Sequence, residues 1–266
     1  MVYPEIDPVA LALGPFKVHW YGLTYLGGLF FAWWLAVIRS RRADAAVGRD
    51  QVDDLIFYAA IGIVLGGRLG YVVFYGLPRL VEDPLWLFRV WEGGMAFHGG
   101  LLGVIAALYL FCRRQQIAFV RAADFVAPLA PVGLALGRLG NFIGQELWGR
   151  PSDVPWAMVF PADPLGLARH PSQLYQFALE GCLLFVIVFT FSRQPRPTGA
   201  VAGVFLTAYG VLRFTAEFFR QPDAHIGYQA FGWMTRGQLL CVPMVIIGLA
   251  MLVWAFRSTS ARSHHT

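Results

Sequence analysis

Seven apolar runs recur along this chain, each long enough for a membrane-crossing helix and each separated from the next by a short polar segment. A bilayer core needs about 20 consecutive apolar residues per helix. Inside lipid the backbone must satisfy its own hydrogen bonds, so helices or closed barrels are the only spanning forms. The runs therefore predict helices over about 18–38, 54–75, 97–113, 122–140, 172–192, 199–219 and 236–256. Pro128 and Pro131 interrupt the fourth, a break that neighbouring helices can tolerate. Only 14% of the residues are charged, against about 25% in soluble domains. The expected fold is an all-α membrane protein, one polytopic domain over 1–266, with longer loop segments at 76–96 and 141–171.

Basic residues set the orientation. Arg39, Arg41, Arg42, Arg49, Arg113, Arg114, Arg121, Arg193, Arg196, Arg257 and Arg262 make eleven in one set of loops; Lys17, Arg79, Arg89, Arg150, Arg169 and Arg220 make six in the other. The positive-inside bias puts the richer set in the cytoplasm. The N-terminus is then outside and the C-terminus cytoplasmic, which agrees with seven spans. Both long loops fall on the outer side, and Trp86 and Trp91 there fit an interfacial aromatic belt. The net charge of +5 belongs to this topology and does not indicate nucleic acid. The first run lacks a preceding basic segment and a small-residue cleavage site, so it is expected to be retained.

Cys112, Cys182 and Cys241 sit within or at the edge of apolar runs with no CxxC spacing, so neither a disulfide framework nor a zinc site is indicated. Gly62, Gly66 and Gly70 repeat every four residues, the small-xxx-small pattern of close helix contact. Gly133, Gly137 and Gly140 read the same way and also let a lipid approach the backbone. No internal repeat is visible, which argues against inverted-repeat transporters.

The informative residues are those that a bilayer disfavours. Arg68, Arg138, Arg213, Glu180 and Glu217 fall inside predicted spans, and His98 starts one. A charge at mid-bilayer costs roughly 2.5–3.5 kcal/mol on insertion scales, so such groups face a bundle interior or a wet cavity. Tyr209, Arg213 and Glu217 share one helix face. This stripe is either an internal ion pair or an anion site in which Glu217 orients Arg213. The run Gly137-Arg138-Leu139-Gly140-Asn141-Phe142-Ile143-Gly144-Gln145-Glu146-Leu147-Trp148-Gly149-Arg150 gathers polar groups at the outer face, and a guanidinium fork suits phosphate oxygens. Paired glycines flank His98, and Gly99 among them permits close ligand approach. No second histidine stands at metal-ligand spacing. These features predict an arginine-lined cavity for an anionic lipid headgroup. They do not choose between transferring the lipid and moving it, and a structural subunit with internally paired charges stays open as well.

The run GRLGNFIGQELWG resembles the signature of the prolipoprotein diacylglyceryl transferase family, departing from it at Gly144, where the family usually has Asn. HWYGL at 19–23, FRVWEGGMAFHGGLLG at 88–103, RHPSQLY at 169–175 and VLRFTAEFFRQPD at 211–223 carry the resemblance through most of the chain. The segment between Gly149 and His170 is short for the family. The resemblance implies an enzyme of the bacterial inner membrane that moves a diacylglyceryl group from phosphatidylglycerol to the lipobox cysteine of a prolipoprotein signal peptide. It assigns Arg138 and Arg213 to the headgroup, and His98 and Tyr209 to the catalytic centre. Asn141, Glu146, Tyr21 and Gly99 fall to substrate binding, and Glu217 and Arg68 to orienting roles. It implies no metal and no organic cofactor. Tyr209 and Glu146 remain alternatives to His98 as the base.

Overall fold

The computed structural model describes residues 1–4, 6–14, 16–222 and 227–263. Asp223, the last residue of the VLRFTAEFFRQPD stretch, lies outside them. Helices stand at all seven expected positions. They are α1 (Trp20–Arg39), α2 (Val52–Tyr75), α4 (Phe97–Gln115), the pair α5 (Phe119–Val126) and α6 (Ala130–Ile143), the run from α7 (Ser172–Gln176) to α8 (Leu184–Phe191), α9 (Ala200–Glu217) and α10 (Arg236–Ser263). A short α3 (Leu77–Glu82) follows α2.

Four helical stretches are long and apolar enough to cross a membrane: Trp20–Arg39, Arg49–Tyr75, Ser172–Phe191 and Arg236–Ser258. Only 17–28% of the apolar window in each is buried, and large apolar side chains such as Phe30, Phe57, Val186 and Ile246 are exposed on them. The α5–α6 pair makes a fifth if it is one broken span; it bends by 50°. Pro128 and Pro131 explain the break, since proline lacks the N–H and crowds the preceding turn. The helices α4 and α9 are outside that set. Charges near or within them lower their hydropathy: Arg113 and Arg114 in α4, Arg213 and Glu217 in α9.

Two features depart from an all-α reading. Three short antiparallel pairs add strand: β1 (Val9–Leu13) with β2 (Phe16–His19), β3 (Met158–Val159) with β4 (Ala168–Arg169), and β5 (Tyr228–Ala230) with β6 (Met234–Thr235). Such pairs satisfy backbone groups where loops leave the helices. Phe177–Leu183, between α7 and α8, is π-helical, a widening often found at functional sites.

The chain divides into two compact units. Trp33–Ala122 forms one. In it α2 lies against α4 along the glycine stripe: a Cβ on Gly62 would meet the Gly103 carbonyl at 2.6 Å, and one on Gly70 would meet the Gly99 Cα at 2.7 Å. Only hydrogen side chains allow this approach.

Met1–Ala32 and Ala123–Thr266 form the other. Here Gly28 faces the backbone of Gly133, and Gly140 faces Tyr21 and Thr24, so α1 lies along α6. Asp124 caps α9 by accepting from the N–H groups of Gly199 at 2.6 Å and Ala202 at 2.8 Å. A carboxylate suits those unpaired N–H groups and the positive end of the helix. Leu184, Val188, Val201 and Ala127 pack beneath Tyr209 and Leu212.

Candidate active site

The larger unit brings together most of the residues expected to act. On α9 the spacing of Arg213 and Glu217 puts them one turn apart, and Arg213 Nη2 lies 2.7 Å from Glu217 Oε2. The expected pair is present, but it is part of a larger cluster. Glu180, fully buried in the π-helical turn, takes Arg213 Nη1 at 3.1 Å on Oε1 and Arg138 Nη2 at 3.5 Å on Oε2. Arg220 reaches Glu217 Oε1 at 3.4 Å. Among the described residues, three guanidinium groups thus face two carboxylates.

The arginines are not equally engaged. Arg213 holds two carboxylates. Among the described residues Arg138 makes one ion pair, the long one to Glu180, while keeping 17% of its side chain accessible. Beside it Gly137 has open space where a side chain would project. Most of Arg138's N–H donors are therefore available to an anionic ligand. Tyr209, one turn before Arg213 on α9, is within electrostatic reach of Glu180, Arg213 and Arg138.

The signature run folds as a helix end and a tight turn. After α6, Gln145 and Leu147 take left-handed backbone conformations, with φ of 54° and 56°. Such conformations cost energy in non-glycine residues and cluster at functional sites. The turn returns Glu146, whose N–H donates to the Asn141 carbonyl at 2.9 Å while Asn141 Nδ2 donates to its carboxylate at 3.2 Å. Tyr21 is within electrostatic reach of Glu146 and Arg138, and its hydroxyl is 3.1 Å from that of Tyr25. Tyr3 closes the end of α6 by donating to the Phe142 carbonyl at 2.9 Å.

The RHPSQLY segment grips this turn from behind. Ser172 Oγ donates to the Leu147 carbonyl at 2.9 Å and Gln173 Nε2 to that of Glu146 at 2.6 Å. Gly149 is wedged between two backbones: a Cβ there would lie 2.5 Å from both the His170 and Phe219 carbonyl oxygens. Arg169 and Asp163 form a buried pair at 2.7 Å, and the guanidinium holds the Asp163 carboxyl below its ordinary range. Burial pushes the His170 imidazole below its ordinary value. Its Nδ1 lies 3.1 Å from the Tyr175 hydroxyl.

The remaining candidates belong to the other unit. Arg68 is buried and fully used. It donates to the carbonyls of Leu87 at 2.9 Å, Gly93 at 2.6 Å and Trp86, and stacks 4.5 Å from the Trp86 ring centroid. It thereby fixes the loop leading to α4. Gly93 and Gly94 in that loop have φ of 81° and 78°, which glycine alone adopts freely. His98 follows in the first turn of α4 with its side chain exposed. Gly99 is buried against Gly66 and Gly70, so helix contact accounts for its position.

The sequence profile of the family described as prolipoprotein diacylglyceryl transferase matches residues 8–254. The chain belongs to the prolipoprotein diacylglyceryl transferase family. Relatives in Azotobacter vinelandii, Ectopseudomonas mendocina and Pseudomonas aeruginosa are each named phosphatidylglycerol--prolipoprotein diacylglyceryl transferase. The first is 56% identical over 262 residues, covering 98% of this chain and 99% of that protein. The second is 57% identical over 255 residues, 96% of each chain, and the third 57% identical over 263 residues, 98% of each.

In this family member, sequence reasoning found both arginines and passed over what joins them. Glu180 stood out only as a charge within an apolar run. Its part as a shared partner depends on α6 and α9 meeting at the π-helical turn. Gln173 and Gln176, both fully buried, attracted no notice because a glutamine carries no charge to flag it. Thr235, whose hydroxyl donates to Glu217 at 3.1 Å, comes from a strand too short to read in advance.

Proposed function

We propose that this chain transfers the diacylglyceryl group of phosphatidylglycerol to the thiol of the lipobox cysteine in prolipoproteins, forming a thioether and releasing glycerol phosphate. The observation that carries the reading is the convergence of Arg138 and Arg213 on buried Glu180, with Arg138 loosely held. A cluster serving structure alone would engage each arginine fully.

The chemistry follows from these groups. A cysteine thiol, with a reference pKa of about 8.5, is mostly protonated at neutral pH, so a base assists. His98 takes the S–H proton. The sulfur forms a bond to the glycerol carbon bearing the phosphoester, and the bond from that carbon to the phosphoester oxygen breaks with its electron pair on oxygen. Arg138 and Arg213 stabilise the charge arriving on the departing phosphate, as fixed donors do for a leaving oxygen. Glu180 and Glu217 hold the guanidinium planes, Tyr209 donates a hydrogen bond nearby, and Asn141, Glu146 and Tyr21 line the headgroup end. Arg68 sets the loop from which His98 projects, and Gly99 sets the helix contact beneath it.

The reading places the chain as one polytopic domain in the bacterial inner membrane. It has seven spans, an outer N-terminus and a cytoplasmic C-terminus, with the signature turn on the outer side. The exposure of apolar side chains on the long helices supports the membrane setting, and the bias of basic residues between loops supports the orientation.

The decisive experiment incubates purified protein with phosphatidylglycerol and a lipobox peptide and weighs the peptide. A mass increase of one diacylglyceryl group is expected on the cysteine. An unmodified peptide would refute the reading. For the base, His98→Gln should lower the rate of transfer; an unaltered rate removes His98 from the proton transfer.

A further inference from the structure

The helix leading into the π-helical turn buries two amides ahead of Glu180. Gln173, Gln176 and Glu180 stand at i, i+3 and i+7, and all three are fully buried. Neither amide atom of Gln176 has a hydrogen-bond partner among the described residues, and Gln173 Oε1 has none either.

The helix register shows where this amide lies. On one side, Gln173 Nε2 bonds the Glu146 carbonyl and Glu180 pairs with Arg138, so the helix runs antiparallel to α6. On the other, Tyr175 packs against Phe219 with ring centroids 5.3 Å apart, and Glu180 pairs with Arg213, so it is antiparallel to α9 as well. Gln176 sits between these two levels, on the buried face, one turn from Glu180 toward the signature turn. A buried amide without partners is unfavourable, and in native proteins such a group calls for a specific explanation.

We propose that Gln176 is a specificity-determining residue that hydrogen-bonds a hydroxyl of the lipid headgroup. This rests on the transferase reading above. A carboxamide offers one donor face and one acceptor face. An ionised phosphate only accepts, and the neighbouring arginines already supply its donors. Acyl chains neither donate nor accept. A hydroxyl does both, and the phosphatidylglycerol headgroup carries a vicinal diol next to the phosphate that Arg138 and Arg213 hold. Gln176 thus reads the headgroup one turn outward from the charges that bind its phosphate.

The test compares phosphatidylglycerol with phosphatidylethanol, which has the same phosphodiester and no headgroup hydroxyl, as donors to a lipobox peptide. Wild type should prefer phosphatidylglycerol. In Gln176→Met, similar in length and apolar, that preference in kcat/KM should fall about tenfold or more, mainly through a higher KM for phosphatidylglycerol. If this variant does not fold in detergent, Gln176→Asn, which withdraws the amide by one methylene, should lower the preference in the same direction. A melting shift with the wild-type preference intact would overturn the proposal, as would equal use of both lipids by wild type. Wild type that transfers from neither lipid would instead refute the transferase reading.

Discussion

Arg213 donates to Glu180 across 3.1 Å, and the same carboxylate holds Arg138 at 3.5 Å. The charge of Glu180 keeps two buried guanidinium groups in one place. In Glu180→Gln the shape stays and the charge goes, so the arginines repel across a neutral amide. Removing one partner from a buried ionic cluster typically costs about 3–5 kcal/mol. The melting temperature in detergent should fall clearly and turnover should drop with it. A variant that melts like wild type would mean that the arginines do not depend on Glu180.

Arg138 should behave in the opposite way. Its one ion pair is long, so Arg138→Ala should alter melting little while lowering kcat about 100- to 1000-fold, the usual cost of losing one donor to a developing anion. Arg138→Lys should rescue poorly, because a point charge cannot present the planar fork. The check is a steady-state assay beside a thermal melt. Near-normal turnover in Arg138→Ala would eliminate its phosphate role.

How much of this was legible beforehand differs by residue. The helix positions were, because apolar length is a strong signal, and the bend near Pro128 was, because proline breaks hydrogen bonding locally. The Arg213–Glu217 contact was too, because one helical turn fixes it. The tie of Arg138 and Arg213 through Glu180 was not. It depends on three helices meeting, and nothing in residue spacing sets that. The hairpin of Met158–Val159 with Ala168–Arg169 is too short to show a two-residue alternation. The buried amides of Gln173 and Gln176 become visible only once their missing partners are known.

Arg68 is consumed by the carbonyls of Trp86, Leu87 and Gly93. In Arg68→Lys one ammonium cannot span them. Amide hydrogen exchange over residues 84–94 should accelerate, with a lower turnover rate as His98 loses its support. Wild-type protection across that loop would show that the guanidinium does not organise it.

Gly149 lies where the backbones at His170 and Phe219 converge on the signature turn. In Gly149→Ala the methyl group meets two carbonyl oxygens that cannot swing away as a side-chain tip would. Overpacking of this kind costs about 1–3 kcal/mol. The melting temperature should fall, and turnover should fall further because the turn carries Asn141 and Glu146. A fully active, stable Gly149→Ala protein would show that the turn relaxes freely.

The Asp163–Arg169 pair gives a pH dependence of defined sign. Asp163 accepts from Arg169 Nε at 2.7 Å and Nη2 at 3.2 Å, and also from the N–H groups of Leu165 and Leu167. Its carboxyl therefore ionises below the unfolded value, which for aspartate is about 3.9. The unfolded chain binds the proton more readily, so stability rises with pH through this window. The contribution is complete above the unfolded value and is lost as pH falls through the folded one. Limited proteolysis of segment 151–169 should be slow at pH 6 and quicken as the pH drops below about 4. Asp163→Asn removes both the charge and the titration, so cleavage should be fast at both pH values with no acid-induced rise. A wild-type protein whose cleavage is equally slow at pH 6 and pH 3 would show that this pair does not hold the loop.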